Sequence, residues 1–263
     1  MEILVCAKRV PDTAENDIQL NATGTDIERD DLVYSVNEPD NYAVEEALQI
    51  AARSGGSVTV VTVGTEDDEE ILRRELAMGA QRAVLISDDA FARSDGRGVA
   101  AILKSFVQGG KYDLILTGVQ ADDGCAQVGG MLAAMLDYPF ASLVTSIEVQ
   151  DGHTLKVARE IEGGNKEINE IDLPCVLSIQ TGINEPRYVG MRGIRQVASV
   201  PIACLGASDL GVDTACVGEA AAKVRRIDYF VPPETAGAEI LGGTREENIE
   251  KLVDLLKAKG GLN

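Results

Sequence analysis

The spacing of apolar residues changes several times along the chain, and each change marks an element. Ile3–Ala7 is a short apolar run that Lys8, Arg9 and Pro11 end, so it reads as a buried strand. Polar and apolar residues mix on both sides of Asn21–Ala22–Thr23–Gly24, so residues 18–27 read as a small hairpin. After Pro39 and Asp40 the period becomes helical. Tyr42, Ala43, Ala47, Leu48 and Ile50 form one stripe, which Gly55–Gly56 ends. Val58–Val63 is β-branched, a second strand. Glu69–Met78 opens on acids and stops at Gly79, as a helix does. Ala83–Ile86 is a third strand. Ser94 and Asp95 begin a helix with Val99, Ile102, Leu103 and Phe106 inward. Leu114–Thr117 is a fourth strand, Gly118–Gly124 a polar loop, and Cys125–Leu136 a helix rich in Ala, Met and Leu.

Strands alternating with helices predict an α/β fold with a parallel sheet and right-handed crossovers. The carboxyl ends of such strands share one edge. Cys6–Arg9, Val63–Thr65 and the loop from Gly118 therefore converge there. Open α/β sheets hold nucleotides beyond that edge, with phosphate against the unpaired N–H groups of a helix N-terminus. The loop carries neither a Walker lysine nor the GxGxxG spacing. Backbone N–H groups, Gln120 and Gln127 are left to bind. Asp122 and Asp123 either cap the helix or repel the phosphate.

The pattern shifts after Pro139. Leu143–Val149, His153–Ile161 and Lys166–Ile171, joined by Asp151–Gly152 and Gly163–Gly164, read as an antiparallel meander. Cys175–Ile179 is a further apolar strand. Residues 182–197 read as irregular and gather Arg187, Arg192 and Arg195. Residues 208–218 read as a turn or short helix and a linker. Pro232 and Pro233 precede a Gly- and Ala-rich linker to an amphipathic helix, Thr244–Ala258, with Ile249, Leu252, Val253 and Leu256 on one side. That helix either folds back on its own sheet or packs on a partner. Two domains follow from this pass, 1–228 and 229–263.

Composition narrows the function. The formal net charge of -19 argues against a general nucleic-acid binder or an anionic-membrane binder. No apolar run reaches the roughly 20 residues of a membrane span, and MEILVCAKRV reads as a strand rather than a signal peptide. The five cysteines show no CxxC spacing, so neither a zinc site nor a disulfide framework is indicated. They are expected to be buried and reduced, in a cytoplasmic protein. His153, the single histidine, sits beside the Asp151–Gly152 turn and reads as a solvated hairpin residue, which leaves no Ser-His-Asp site.

Three segments together carry a resemblance: Ile3–Thr13, Gly118–Gly130 and Val157–Tyr188. Their most specific parts are Arg159-Glu160-x-Glu162-Gly163-Gly164, followed by Leu173–Pro174, and Asn184-Glu185-Pro186-Arg187-Tyr188. Val44–Ala47 and Ala77–Ala80 agree. Over nearly its whole length the chain resembles the beta subunit of electron transfer flavoproteins. The resemblance implies a parallel sheet of the adenine-nucleotide-binding, Rossmann-like type, with the meander and a C-terminal partner-binding arm. It implies an electron carrier rather than an enzyme, paired with an alpha subunit that holds most of the redox FAD. The beta subunit's own site holds AMP in ordinary members. In electron-bifurcating members it holds a second FAD, which takes hydride from NADH. By position that site comprises Cys6, Asn37, Glu38, Pro39, Asp40, Val63, Gly118, Val119, Gln120, Ala121, Asp122, Asp123, Gly124, Cys125, Ala126, Gln127 and Val128.

The resemblance further implies that Glu160 restrains the mobile flavin domain. Arg187, Tyr188, Met191, Arg192, Ile194 and Arg195 would form a recognition loop, with Met191 as its apolar anchor. The implied partners are acyl-CoA dehydrogenases or related dehydrogenases of fatty acid oxidation, and a quinone oxidoreductase as acceptor. Two departures stand out. The loop between Gln120 and Gly129 is one residue shorter than usual in the family, and Pro39 comes one place late. The meander is similar to the AMP-bearing branch, while Ala126-Gln127-Val128-Gly129 is also similar to the bifurcating one. A rival of another class, an ATP-using PP-loop enzyme, needs Ser-Gly-Gly-x-Asp-Ser directly after the first strand. Ala7-Lys8-Arg9 stands there instead.

Overall fold

Ile3, Leu4 and Val5 are fully buried and put strand β1 (Glu2–Cys6) at the centre of the molecule. The computed structural model describes residues 1–121, 124–233, 237–238 and 240–262. After β1 come β2 (Arg9–Pro11) and β3 (Tyr34–Val36), then α1 (Glu38–Ser54), β4 (Ser57–Val63) and α2 (Glu69–Met78). β5 (Arg82–Ile86), α3 (Gly96–Gln108), β6 (Leu114–Gly118) and α4 (Val128–Leu136) continue the alternation. The meander is β7 (Phe140–Val149), β8 (Thr154–Ile161) and β9 (Asn165–Asp172), followed by β10 (Cys175–Ile179). Four short pieces follow: α5 (Met191–Gln196), β11 (Ala203–Leu205), α6 (Ala207–Leu210) and α7 (Gly218–Ala221). The last helix is α8 (Arg245–Ala258).

Among the described residues nine strands form one sheet, in the order β11-β5-β4-β1-β6-β10-β7-β8-β9. It is parallel from β11 to β7 and antiparallel through β8 and β9. From β1 the chain builds outward through β4 and β5, then returns to β6 on β1's other side. The order thus reverses between β1 and β6. Alternation along the strands feeds two cores. Ile3, Val5, Val58 and Val60 pack under α1 and α2, joined by Val144, Leu155 and Ile171 of the meander. Leu4, Val61, Ile115 and Val176 pack under α3 and α4.

The local rules explain the long elements. α2 has Glu69 and Glu70 in its first turn and ends where Gly79 takes φ 129°, with its N–H on the carbonyls of Glu75 and Leu76. α3 is capped by Asp95, whose carboxylate accepts from the Gly98 N–H.

Several short elements differ from expectation. The hairpin at 18–27 contracts to a single Leu20–Ile27 bridge. In its place β2 and β3 pair, with the Arg9 guanidinium 3.7 Å above the Tyr34 ring. α4 starts at Val128, not Cys125, because Ala126 sits in the left-handed region at φ 53° and breaks the helical path. The irregular segment contains α5, and β11 adds an edge strand beside β5. The cysteines are all free; Cys175 is buried and Cys6 half-buried. Cys125, Cys204 and Cys216 are exposed, since each lies in a loop or short edge element. His153 is exposed, as expected.

The chain divides into two compact units, Met1–Gln19 with Glu28–Ile227, and Leu20–Ile27 with Asp228–Asn263. In the second unit α8 has a full capping box at Thr244 and Glu247 but buries no residue. No helix among the described residues is long and apolar enough to cross a membrane.

Candidate functional site

β1, β4 and β6 end at Cys6, Val63 and Gly118 on the same edge, with Cys6 in register with Thr117 and Val61. In open α/β sheets, ligands lodge outside the carboxyl ends where the strand order reverses. Here that place lies between β1 and β6.

The N-terminus of α1 closes one wall. Pro39 suits the first turn, where an N–H would have no helical partner. Asp40, at the same end, is buried, and its carboxyl bridges two strand ends. Oδ1 accepts the Gly118 N–H at 2.9 Å and Oδ2 accepts the Lys8 N–H at 2.9 Å. Asn37, also buried, donates from Nδ2 to the Gln120 carbonyl at 2.9 Å and from its backbone N to the Lys8 carbonyl at 2.9 Å. One turn of helix therefore ties the loop after β1 to the loop after β6. Burial pushes the Asp40 carboxyl up to about 7, against the bonds from Asn37, Gly118 and Lys8 that favour its charge. It therefore repels an anion less than a solvated aspartate would. Burial and the charge of Asp40 raise the Cys6 thiol to about 12, so it stays a thiol.

Gly118 is a matter of space. A Cβ there would fall 2.3 Å from Asp40 Oδ1 and 2.8 Å from Pro39 Cβ. The glycine lets the end of β6 close onto α1. Gly129 does the same for α4, since a Cβ would lie 2.4 Å from Ser178 Oγ and 2.8 Å from Thr117 Oγ1. Those two hydroxyls pair at 2.8 Å. α4 thus presses its first turn onto the ends of β6 and β10. Its first N–H groups have no partner within the helix. Gln127 holds the cap position and makes no side-chain cap bond. Asp122 and Asp123, expected as caps or ligands, lie outside the described residues. Gln127 packs over Gly96 at the start of α3, where a Cβ would meet its Oε1 at 3.0 Å.

The other assigned residues lie along this edge or beyond it. Val119 donates its N–H to the Ile179 carbonyl at 2.9 Å, and Gly124 to that of Ala121 at 2.9 Å. Glu38, Gln120, Cys125 and Ala126 are exposed. Glu160, also exposed, accepts from Gln180 Nε2 at 3.3 Å, just past the end of β10. Tyr188 and Met191 are 92% and 67% exposed, Arg192 and Arg195 are exposed, and Ile194 is half-buried. Arg187 is engaged within the chain. Its Nε and Nη2 bind Glu45 Oε2 and Oε1 at 2.7 and 2.9 Å. Sequence reasoning placed Lys8 at this edge but not its N–H bond to Asp40, and it missed Thr117, Ser178 and Gly129. Only Gly129, in a Gly-Gly pair inside a helix pattern, left a local sign.

A parallel sheet with a switch point beside β1 and an antiparallel extension defines a Rossmann-like α/β protein. Residues 25–210 match the family described as "Electron transfer flavoprotein domain". The chain is 36% identical over 260 residues to the electron transfer flavoprotein subunit beta of Methylophilus methylotrophus, covering 97% of this chain and 98% of that one. It is 38% identical over 264 residues to the caffeyl-CoA reductase-Etf complex subunit CarD of Acetobacterium woodii, covering 98% and 99%. To the acryloyl-CoA reductase electron transfer subunit gamma of Anaerotignum propionicum it is 33% identical over 268 residues, covering 98% and 99%. The chain belongs to the electron transfer flavoprotein family, on its beta-subunit side. Electron transport by a flavoprotein is the function of that family.

Proposed function

We propose that this chain is the beta subunit of a heterodimeric electron transfer flavoprotein and holds AMP in the crevice between β1 and β6. An alpha subunit would hold most of the FAD, which supplies the redox couple when bound. The observation that carries the reading is the locked wall of the crevice: Asp40 and Asn37 fix the loops after β1 and β6, and beside them the N-terminus of α4 has no side-chain cap bond from Gln127. Such a terminus suits a phosphate. AMP has no accessible redox couple, so its part is structural, stabilising the fold by mass action. The chain itself makes and breaks no bonds and acts as a carrier. Glu160 would restrain the flavin domain from the same edge.

Electrons would pass from acyl-CoA dehydrogenases or related dehydrogenases to an acceptor such as a quinone oxidoreductase, docked at Tyr188 and Met191. Met191→Ala in the heterodimer is expected to cost roughly 1.5–3 kcal/mol of partner binding, the scale of one large apolar side chain. That is about ten- to a hundredfold in affinity. Reduction kinetics with an acyl-CoA dehydrogenase would read it, with flavin content and melting temperature unchanged. An unchanged apparent affinity removes Met191 from the interface.

A second reading is a bifurcating subunit with a second FAD in the same crevice. Its support is the run Ala126-Gln127-Val128-Gly129, which is similar to that branch. An absorbance scan of the purified heterodimer separates the two, with one flavin per dimer for AMP and two for bifurcation.

A further inference from the structure

The exposed pair Tyr188 and Met191 lies between two arginine contacts that nothing in the sequence announces. On the near side, Arg187 is fastened to the α1–α2 layer. Its backbone N and its Nε both donate to Glu45 Oε2, at 3.2 and 2.7 Å, and Nη2 donates to Oε1 at 2.9 Å. Its Nη1 donates to the Met78 carbonyl at 3.2 Å, one of the last carbonyls of α2. A cation is favoured at that end of a helix. Glu45 itself has only 5% of its side chain exposed. Asn184 adds bonds from Nδ2 to the Tyr42 carbonyl at 3.1 Å and to Glu46 Oε2 at 3.0 Å. On the far side, Arg73 of α2 donates from Nη1 to the carbonyls of Val197, at 3.0 Å, and Val200. Glu69 holds that guanidinium in place through Nε at 3.0 Å and Nη2 at 2.5 Å. Between the two contacts Gly193 passes over Ala77, and Val189 and Val197 pack against the core.

We infer that Arg73 and Arg187 are positioning residues, which clip both ends of the 187–200 segment to α1 and α2 so that the partner meets a pre-formed surface. This rests on the docking reading proposed above. A segment already ordered loses less conformational freedom on binding, so its apolar contacts convert more fully into affinity. Arginine is the required residue at both places. One planar guanidinium serves a carboxylate and a main-chain carbonyl together, whereas a lysine ammonium keeps the charge and loses the fork.

The test uses the intact heterodimer carrying Arg73→Lys, Arg187→Lys or both. Hydrogen exchange of the 188–197 amides is expected to speed up about tenfold in each single variant, the scale of losing one or two bonds. The KM for a reduced acyl-CoA dehydrogenase should rise by a similar factor while kcat and flavin content hold. A role for charge alone would be rescued by lysine and would leave both readouts unmoved. Unchanged exchange in both single variants overturns the inference. Faster exchange with an unchanged KM also overturns it where Met191→Ala does raise KM, because docking then does not depend on order. If Met191→Ala leaves KM unchanged as well, the docking reading falls and the positioning role falls with it.

Discussion

At pH 8 a Glu75→Met variant is expected to melt roughly 5–15 °C higher than the native protein, and at pH 5 within about 3 °C of it. Glu75 lies on the buried stripe of α2 at 0% exposure, beside Leu72 and Leu76. Neither of its carboxyl oxygens has a hydrogen-bond partner among the described residues. Burial pushes its pKa up to about 8, with the charge of Asp40 adding to the rise and that of Arg74 opposing it. The unfolded chain releases this proton near the ordinary value of 4.5. Between those two values the folded state holds more protons than the unfolded state. Stability therefore falls as pH rises from 4.5 towards 8 and levels off above it. The full cost is on the order of 5 kcal/mol, since each tenfold change in proton affinity is worth about 1.4 kcal/mol. Methionine has similar length and no charge to desolvate, so it removes the slope. Asp40, raised to about 7, contributes a second slope of the same sign, which the variant keeps. Melting curves of the heterodimer at the two pH values decide the matter. An equal shift at both would mean that Glu75 is not the titrating group.

Glu75 also shows where sequence reading stops. In Glu69–Met78 the helix, its acidic start and its glycine stop were all legible, because each depends on residues within one or two turns. That Glu75 faces the core depends on how α2 sits against the sheet, which its neighbours in sequence do not encode. The parallel sheet and the convergence of Cys6, Val63 and Gly118 were legible from alternating periods alone. Asn37–Asp40 came only from the family resemblance, since nothing local says that Asp40 binds the N–H groups of Lys8 and Gly118, 32 and 78 residues away. The fastening of the arginine segment was illegible for the same reason. Arg187, read as part of a recognition loop, is exposed and also turns its fork to Glu45, 142 residues earlier. β11 is three residues with no pattern of its own, and it exists through its pairing with β5.

Gly118→Val is expected to lower the melting temperature and to strip the nucleotide. The first Cβ already overlaps Asp40 Oδ1 at 2.3 Å, and valine adds two methyl groups at the same place. The carboxyl cannot simply turn aside, because Lys8 and Gly118 hold its two oxygens from either strand end. Overpacking costs roughly 1–3 kcal/mol, and displacing Asp40 from its two N–H partners roughly another 1.5–3. The wall would open at the switch point, so nucleotide should be lost in proportion. Asp40→Asn separates the two causes, since it is close in shape and keeps one acceptor oxygen. It is expected to retain more nucleotide than Gly118→Val. A Gly118→Val protein that purifies with full nucleotide and an unchanged melting temperature contradicts the assignment of the crevice.

On the proposed reading, the crevice between β1 and β6 holds an adenine nucleotide distinct from the shared flavin. The direct measurement is mass spectrometry of what the denatured, purified heterodimer releases, quantified per dimer. One FAD and one AMP are the predicted result. Two FAD and no AMP would replace the AMP reading with the bifurcating one, and a single FAD with no second nucleotide would contradict the claim.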